Sequence, residues 1–233
     1  MKNVVVIPTY NERGNIKPLI GEIFTILPDI SLLVVDDSSP DGTAQAVQEL
    51  TSQYPHLALL KRDRKNGLGG AYLAAFKHLL RSPEIERVIM MDGDFSHHPR
   101  YLPSILKASE AHDLVIGSRY ITGGGIAQWE LWRRFLSLAA NYYARSILRY
   151  PIADWTSGFN CIRADVLRKT NLESLDLSGY AFLQELKYML VKSGASVTEV
   201  PIIFGARRGG ESKISGFIIR EGIIGPWKMR LKK

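Results

Sequence analysis

The chain has 233 residues, 45% of them apolar, and carries 30 Lys and Arg against 23 Asp and Glu, a net charge of +7. That length suits one large domain or one and a half, with the apolar share of an ordinary globular protein. The single Cys161 excludes an internal disulfide and fits a core position in a reducing compartment. No run reaches 18 apolar residues, so no spanning helix is expected, and the opening MKNVVVIPTYNE lacks the apolar stretch of a secretory signal.

Apolar runs then alternate with helical patterns. Strands are predicted at Val4–Ile7, Leu32–Val35, Leu57–Leu60, Val88–Met91 and Leu114–Ile116. Helices are predicted between and after them at Gly14–Leu27, Thr43–Gln53, Gly69–Leu80 and Pro99–Ser109. Repeated βα units imply an α/β fold with a mostly parallel, doubly wound sheet, and strands without alternation imply helices on both faces. Beyond Gly117 the character changes. Residues 119–128 read as a loop, then Leu131–Tyr150 as an amphipathic helix with a polar stripe of Arg134, Ser137, Asn141, Arg145 and Arg149. Trp155–Ile162 is expected as a strand, Gly179–Lys192 as a helix and Val197–Phe204 as a strand. In the segment 216–233, Gly222, Gly225 and Pro226 are expected to break or bend the chain.

In an open parallel sheet, ligands bind beyond the carboxyl ends of the strands. Three ends here are polar: Pro8–Glu12, Asp36–Thr43 and Asp92–Asp94. Asp92 and Asp94 lie one residue apart, so in extended chain they face the same way. Two carboxylates placed so call for a cation between them, as when Mg²⁺ is held by carboxylates and substrate phosphates. The same three residues read equally well as a turn. Asp41–Thr43 is read as a turn and helix cap. Asp36 or Asp37 can hydrogen-bond a ribose or a base edge. No GxGxxG or Walker pattern follows the first strand, which argues against dinucleotide sites and P-loops. The glycines of Lys65–Ala71 fit either a ligand approach or a plain loop. His97 and His98 diverge in extended chain, and a hard ion prefers oxygen, so they are read as structural neighbours of the carboxylates.

Taken together, Val6–Glu12 (VIPTYNE), Val34–Thr43 (VVDDSSPDGT), Arg64–Gly69 (RKNGLG), Met91–Pro99 (MDGDFSHHP) and Gly117–Tyr120 (GSRY) resemble the family 2 inverting glycosyltransferases of GT-A fold. Gly123–Trp129 with Arg133, Thr156–Phe159 (TSGF), and Val200–Phe204 followed by Arg207, Gly210, Ser212 and Lys213 are similar to the dolichol-phosphate mannose synthases and their bacterial polyprenol-phosphate relatives. The likeness runs in order along nearly the whole chain. It implies a single domain: a nucleotide-sugar half in residues 1–118, an acceptor half in 119–213 and a basic amphipathic segment in 214–233. The activity it implies is transfer of mannose from GDP-mannose to a dolichyl or polyprenyl phosphate. The alternative is a glucosyltransferase using UDP-glucose, and less fitting readings are a non-catalytic nucleotide binder or a nucleic-acid-binding protein.

The resemblance also assigns roles. Pro8, Tyr10, Glu12, Val35 and Asp37 would hold the nucleoside, and Asp92, Gly93 and Asp94 would approach ribose and diphosphate. Asp94 and Ser96 would ligate Mg²⁺ or Mn²⁺, with Ser96 standing where many relatives have Gln. Arg119, Arg133 and Ser137 would bind the acceptor phosphate, while Arg207 and Lys213 would clamp the donor. A phosphate acceptor is already an anionic nucleophile, so no carboxylate base is expected, and catalysis would rest on positioning and charge. The catalytic set is then Asp92, Asp94, Arg119 and Arg133.

Three positions depart from the family pattern. Asn160 follows the TSGF motif where relatives usually have Arg, Ala206 precedes Arg207 where they usually have Asp, and Leu183 stands where they often have Gln. Residues 201–233 hold eight Lys and Arg against Glu211 and Glu221, nearly the whole charge imbalance. Such a tail suits an anionic membrane, phosphates or nucleic acid. Only Phe217 and Trp227 there are base-stacking aromatics, so no nucleic-acid partner is expected. The segment either docks on a membrane or packs as core, and Trp129 and Trp132 are open to the same two readings. Some relatives carry transmembrane helices and others use small membrane subunits. This chain resembles the short kind, placed peripherally on the cytosolic face of a membrane.

Overall fold

The computed structural model describes residues 2–176, 181–206 and 216–232. The strands are β1 (Lys2–Thr9), β2 (Ser31–Asp36), β3 (Leu57–Lys61), β4 (Ile85–Met90), β5 (Leu114–Ser118), β6 (Gly125–Ile126), β7 (Asn160–Arg163), β8 (Val197–Pro201) and β9 (Ile203–Phe204). The helices are α1 (Arg13–Ile26), α2 (Thr43–Leu50), α3 (Gly67–Leu79), α4 (Leu102–Ala108), α5 (Leu131–Leu148), α6 (Ala164–Lys169), α7 (Ala181–Lys192) and α8 (Gly216–Leu231). Seven strands form one sheet in the order β3-β2-β1-β4-β7-β5-β8, and β6 pairs with β9 beside it. All pairs are parallel except those of β7, which runs antiparallel between β4 and β5.

Strand residues alternate between two cores. Val4, Val6, Val88 and Met90 pack with α3 and α7 on one face. Val5, Ile7, Ile89 and Met91 pack with α1, α2 and α4 on the other. Both faces are therefore dry, which is why these strands read as unbroken apolar runs. Each such side chain contributes about 1.5–3 kcal/mol on burial. The connections after β1 lead outward through β2 to β3, and β4 returns to the opposite side of β1. That reversal opens a crevice beyond the carboxyl ends of β1 and β4. The ends of β2, β1 and β4 stand side by side there, as the sequence implied.

Several expected elements differ. Of the strand expected at Trp155–Ile162, only β7 from Asn160 forms. The preceding residues make a turn because side chains capture their backbone groups: the Ser157 hydroxyl donates to the Gly117 carbonyl (2.6 Å) and accepts from the Phe159 N–H (3.2 Å). The strand expected at Val197–Phe204 splits into β8 and β9 at Ile202. The break expected at Gly222, Gly225 and Pro226 does not occur, since α8 runs through all three. Packing on α5 outweighs propensity here: the Tyr143 hydroxyl donates to the Ile223 carbonyl (3.0 Å), the Trp227 indole donates to that hydroxyl (3.0 Å), and Met229 is buried. The polar stripe on α5 is also redrawn. Asn141 is buried, Ser137 is half-buried, and the outward face is apolar.

The loop from β5 to β6 folds back tightly on itself at Gly124. A Cβ there would lie 2.6 Å from the Ser118 carbonyl oxygen and 3.0 Å from the Arg119 backbone. Gly124→Ala is expected to lower stability by about 1–3 kcal/mol. Gly14, in α1 with nothing within 4 Å of its would-be Cβ, serves as the control. Gly14→Ala should be neutral or stabilising by up to about 1 kcal/mol. Urea melts of both variants check the pair, and equal losses would contradict the packing argument.

Candidate functional site

A cavity of about 830 Å³ starts at the ends of β1 and β4 and runs to the cleft between α5 and α8. Pro8, Glu12, Asp92, Gly93, Asp94, Arg119, Arg133 and Ser137 all line it. Eight of the sequence-predicted residues are thus brought to one space.

At the β1 end, Glu12 accepts from the Asn15 amide (2.8 Å), and its N–H donates to the Thr43 hydroxyl (3.0 Å). Gly93 passes close beneath β1, where a Cβ would lie 3.3 Å from Ile7 and 3.6 Å from Thr9. The two neighbouring acids after β2 divide their work. Asp36 accepts from Thr9 (3.0 Å) and from the Ser39 N–H and hydroxyl (2.9 and 2.6 Å), so it shapes the turn. Asp37 pairs with Arg62 at 2.6 Å and accepts from the Asn66 N–H at 3.3 Å. Asp41 accepts from the Thr43 N–H (2.9 Å) and hydroxyl (2.6 Å), the turn and cap expected of it. Tyr10 is exposed, and the Lys65 ammonium lies 3.5 Å from its ring centroid. Val35, expected beside the nucleoside, is wholly buried in the sheet core between β1 and β3 and does not line the cavity.

At the β4 end, the strand stops at Met90, and the carboxylates sit on a turn in which Phe95 adopts φ 66°. The turn, rather than extended chain, brings Asp92 and Asp94 to the cavity. Asp94 is 7% exposed, and its Oδ1 accepts from the Ser96 hydroxyl (2.5 Å) and N–H (3.0 Å). Among the described residues, no three His, Cys, Asp or Glu side chains gather as a metal cage. Asp94 and Ser96 are hard oxygen donors, of the type that suits a cation whose shell is completed by ligand oxygens; Asp94 lines the cavity, whereas Ser96 is wholly buried. His97 is not such a donor. Its Nδ1 accepts the Asp92 N–H (3.0 Å), and its ring stacks on Phe159 at 5.0 Å. Burial lowers the His97 pKa, against the upward pull of Asp92 and Asp94.

Beyond β5, Arg119 is 7% exposed and held by a bidentate pair with the buried Asp154. Its Nε and Nη2 lie 2.7 Å from the two Asp154 oxygens, and Nη2 also donates to Thr156 Oγ1 (2.6 Å). The backbone N–H of Arg119 donates to Asp154 as well (3.0 Å). Burial pushes Asp154 up, but the Arg119 guanidinium and its hydrogen bonds bring the carboxyl below its ordinary value. Arg133 pairs with Glu130 at 3.6 Å and lies over Trp129 (5.6 Å) and Trp132 (5.8 Å). The Ser137 hydroxyl accepts from Tyr120 (2.6 Å). Asn141 accepts from the Thr156 N–H (3.2 Å) and donates to its hydroxyl (3.1 Å), tying α5 to the turn.

Arg207 and Lys213 lie outside the described residues. Sequence reasoning missed Arg62, Asp154, Glu199 and Lys187. Arg62 follows β3 in a charged run without a motif. Asp154 sits just ahead of the recognised TSGF segment, and that adjacency was the available signal. Glu199 takes the Ala153 and Asp154 N–H groups (2.7 and 3.0 Å) from a strand that reads as ordinary.

The Asp154 geometry predicts a pH signature. Its folded pKa is lowered, so the pair contributes stability above the unfolded carboxyl value of about 3.9, and that contribution is lost as pH falls through the folded value. Asp154→Asn should cost about 3–5 kcal/mol at pH 6–7, the cost of stranding a buried partner. In urea melts, the gap between wild type and variant should narrow from pH 6 to pH 3. A gap constant across that range would overturn the assignment.

Residues 4–171 match the family model described as glycosyl transferase family 2. The chain is 38% identical over 225 residues to undecaprenyl-phosphate mannosyltransferase of Micrococcus luteus, covering 96% of this chain and 92% of that one. It is 42% identical over 234 residues to polyprenol monophosphomannose synthase of Mycolicibacterium smegmatis, covering 98% and 88%. Against dolichol-phosphate mannosyltransferase of Pyrococcus furiosus it is 37% identical, covering 95% of this chain and 61% of that one. Its fold matches the crystal structure of glucosyl-3-phosphoglycerate synthase from Mycobacterium tuberculosis in complex with Mn²⁺, UDP and phosphoglyceric acid, with TM-score 0.70 and 18% identity over 99% of this chain and 78% of that one. That likeness is one of fold, a mostly parallel sheet of GT-A type. With more than two thirds of its length inside the family model, and full-length relatives of that kind, the chain belongs to glycosyl transferase family 2.

Proposed function

We propose that the protein transfers mannose from GDP-mannose to a polyprenyl or dolichyl phosphate, with inversion at the anomeric carbon. The observation that carries the proposal is a cavity lined by the carboxylates Asp92 and Asp94 and the arginines Arg119 and Arg133, together with residues of α5 and α8. The names of the full-length relatives support mannose and a polyprenyl phosphate.

In this reading, residues 1–118 present the donor and 119–213 the acceptor. Pro8, Tyr10, Glu12 and Asp37 border the nucleoside, with Arg62 orienting the Asp37 carboxylate. Asp94 and Ser96 hold Mg²⁺ or Mn²⁺, which supplies charge neutralisation to the leaving diphosphate. Asp92 and Gly93 face ribose and diphosphate, and Arg207 and Lys213 complete the donor clamp. Arg119, Arg133 and Ser137 receive the acceptor phosphate. Its oxygen is already anionic, so displacement at the anomeric carbon needs no proton removed. The chain's task is to hold two anions in line and keep water out.

The lipid reading is supported by the outer face of α5. Leu131, Phe135, Leu138 and Tyr142 recur at spacings of four, three and four, and Leu131, Phe135 and Tyr142 are more than 70% exposed. Arg134 and Arg145 flank them, and α8 adds exposed Ile223, Trp227 and Leu231 beside Lys228 and Arg230. An apolar stripe with basic flanks is the pattern of a helix lying in a lipid interface. Among the described residues no helix is long and apolar enough to cross a membrane. On the strength of that stripe we propose that the protein sits peripherally on the cytosolic face of a membrane, with a small membrane subunit as a further anchor.

Radiolabelled mannose should pass from GDP-mannose to a short polyprenyl phosphate with Mn²⁺ or Mg²⁺ present, and EDTA should stop it. Transfer only from UDP-glucose would replace this reading with a glucosyltransferase. Asp94→Ala should lower kcat by at least about a hundredfold; a fully active variant sinks the cation assignment. In flotation with anionic vesicles and no partner chain, a Leu131→Glu/Phe135→Glu double variant should stay at the bottom while the wild type floats. Equal flotation of the two would remove α5 from the docking surface.

A further inference from the structure

Lys187 is a lysine on the buried face of α7 and is 1% exposed. Its ammonium reaches the turn ahead of β7, donating to the carbonyls of Trp155 (3.0 Å) and Ser157 (2.6 Å). Asn160 donates its amide to the same Ser157 carbonyl at 3.1 Å. Two side chains from different elements thus converge on one backbone oxygen. Burial brings the Lys187 pKa down to about 7, against the upward pull of Asp154 and Glu199, while Arg119 adds to the push. A donor is held here despite that cost because an apolar side chain would leave buried carbonyls unmet.

The pinned turn touches both ends of the cavity. Its Thr156 hydroxyl accepts from Arg119, and Asp154 just before it grips the same guanidinium. Gly158, at its other end, lies against the donor side: a Cβ there would be 3.2 Å from His97 and 3.6 Å from an Asp92 carboxylate oxygen. Movement of this turn would therefore shift Arg119 relative to Asp92.

We infer that Lys187 is a positioning residue for the acceptor phosphate: from α7 it fixes the Trp155–Ser157 turn that seats Arg119. The inference rests on the proposed acceptor role of Arg119. Asn160 keeps one donor on the Ser157 carbonyl from β7, and Lys187 brings a second from α7. Lys187 touches no reacting atom and acts only through the turn.

The test uses the full chain, GDP-mannose, Mn²⁺ and a short polyprenyl phosphate. Lys187→Met should reduce kcat/KM for the acceptor by about ten- to a hundredfold. Its affinity for GDP with Mn²⁺ should stay within about twofold of wild type, a difference too small to carry such a loss. The Asn160→Arg/Lys187→Met double variant should recover most of the loss. An equally active Lys187→Met, a parallel loss of GDP affinity, or a folded double variant with no recovery each overturns the inference. Should Lys187→Met fail to fold, Lys187→Gln replaces it, since its amide can meet one carbonyl. Wild-type acceptor kinetics in that variant overturn the inference, and a selective acceptor defect supports it. Absence of any transfer by the wild type would sink the proposed function itself, whereas an active wild type with an unaffected variant sinks this inference alone.

Discussion

The buried pair of Arg119 and Asp154 ties together segments that are distant in sequence. Arg119 follows β5, Asp154 precedes β7, and Glu199 of β8 holds the backbone on which Asp154 sits. Thr156 then bridges the pair to Asn141 of α5. Four elements distant in sequence meet at one guanidinium. A charge buried this deeply is tolerated only when its hydrogen bonds are met in full geometry. The pair therefore constrains where β7, β8 and α5 stand relative to β5, and with them the far wall of the cavity. The antiparallel entry of β7 between β4 and β5 belongs to the same constraint, because it sets the turn carrying Asp154 beside the end of β5.

Charge is distributed along the cavity with the same economy. Asp92 and Asp94 line it beside β4, where the proposed cation and diphosphate would lie, and Arg119 and Arg133 line it as well. Asp154 offsets part of the Arg119 charge, and Glu130 lies 3.6 Å from Arg133. Neither arginine is thus a loose counter-ion waiting for any anion. Trp129 and Phe204 flank Arg119 at 5.9 and 5.4 Å, and Trp129 also lies beneath Arg133. Aromatic walls exclude water and strengthen what charge remains. On the proposed reaction, this is how two anions can approach without a base.

The donor side was the more legible half in the sequence, for a physical reason. It is built from consecutive βα units, so the residues that meet in space are those directly after strands, and each polar cluster could be placed from its strand alone. The clusters holding Pro8, Glu12, Asp92, Gly93 and Asp94 were placed that way, and resemblance then assigned their roles. The proposed acceptor side is built from pairings between segments 15 to 80 residues apart, which no local pattern announces. Arg119, Arg133 and Ser137 entered through resemblance, Asp154 had only its place just ahead of the TSGF segment as a signal, and Lys187 and Glu199 gave none. The helix α5 shows the same limit. Its polar residues were legible as a stripe, yet which side faced inward depended on the turn at Thr156. Likewise α8 passes through Pro226 because Tyr143 and Trp227 hold it, a contact that propensity does not contain.

That inversion of α5 bears on how a lipid-linked phosphate could be served. A helix with its side chains is about 10–12 Å across. Ser137 and Asn141 face the site, while Leu131, Phe135 and Tyr142 face out from the opposite side of the same helix. An interfacial helix sinks its apolar face about 5–10 Å into the headgroup boundary. If α5 docks in this way, its inner face lies at headgroup depth, where the phosphate of a polyprenyl chain also resides. The phosphate then reaches Ser137 and Arg133 by passing around one helix, without lifting its isoprenes into water. The cleft between α5 and α8, lined by Leu136, Ala140, Tyr143 and Ile223, offers an apolar path for the first of those isoprenes. One helix thereby sets both the height of the protein on the membrane and the position of the acceptor site, which ties the exposure of its outer face to the chemistry on its inner one.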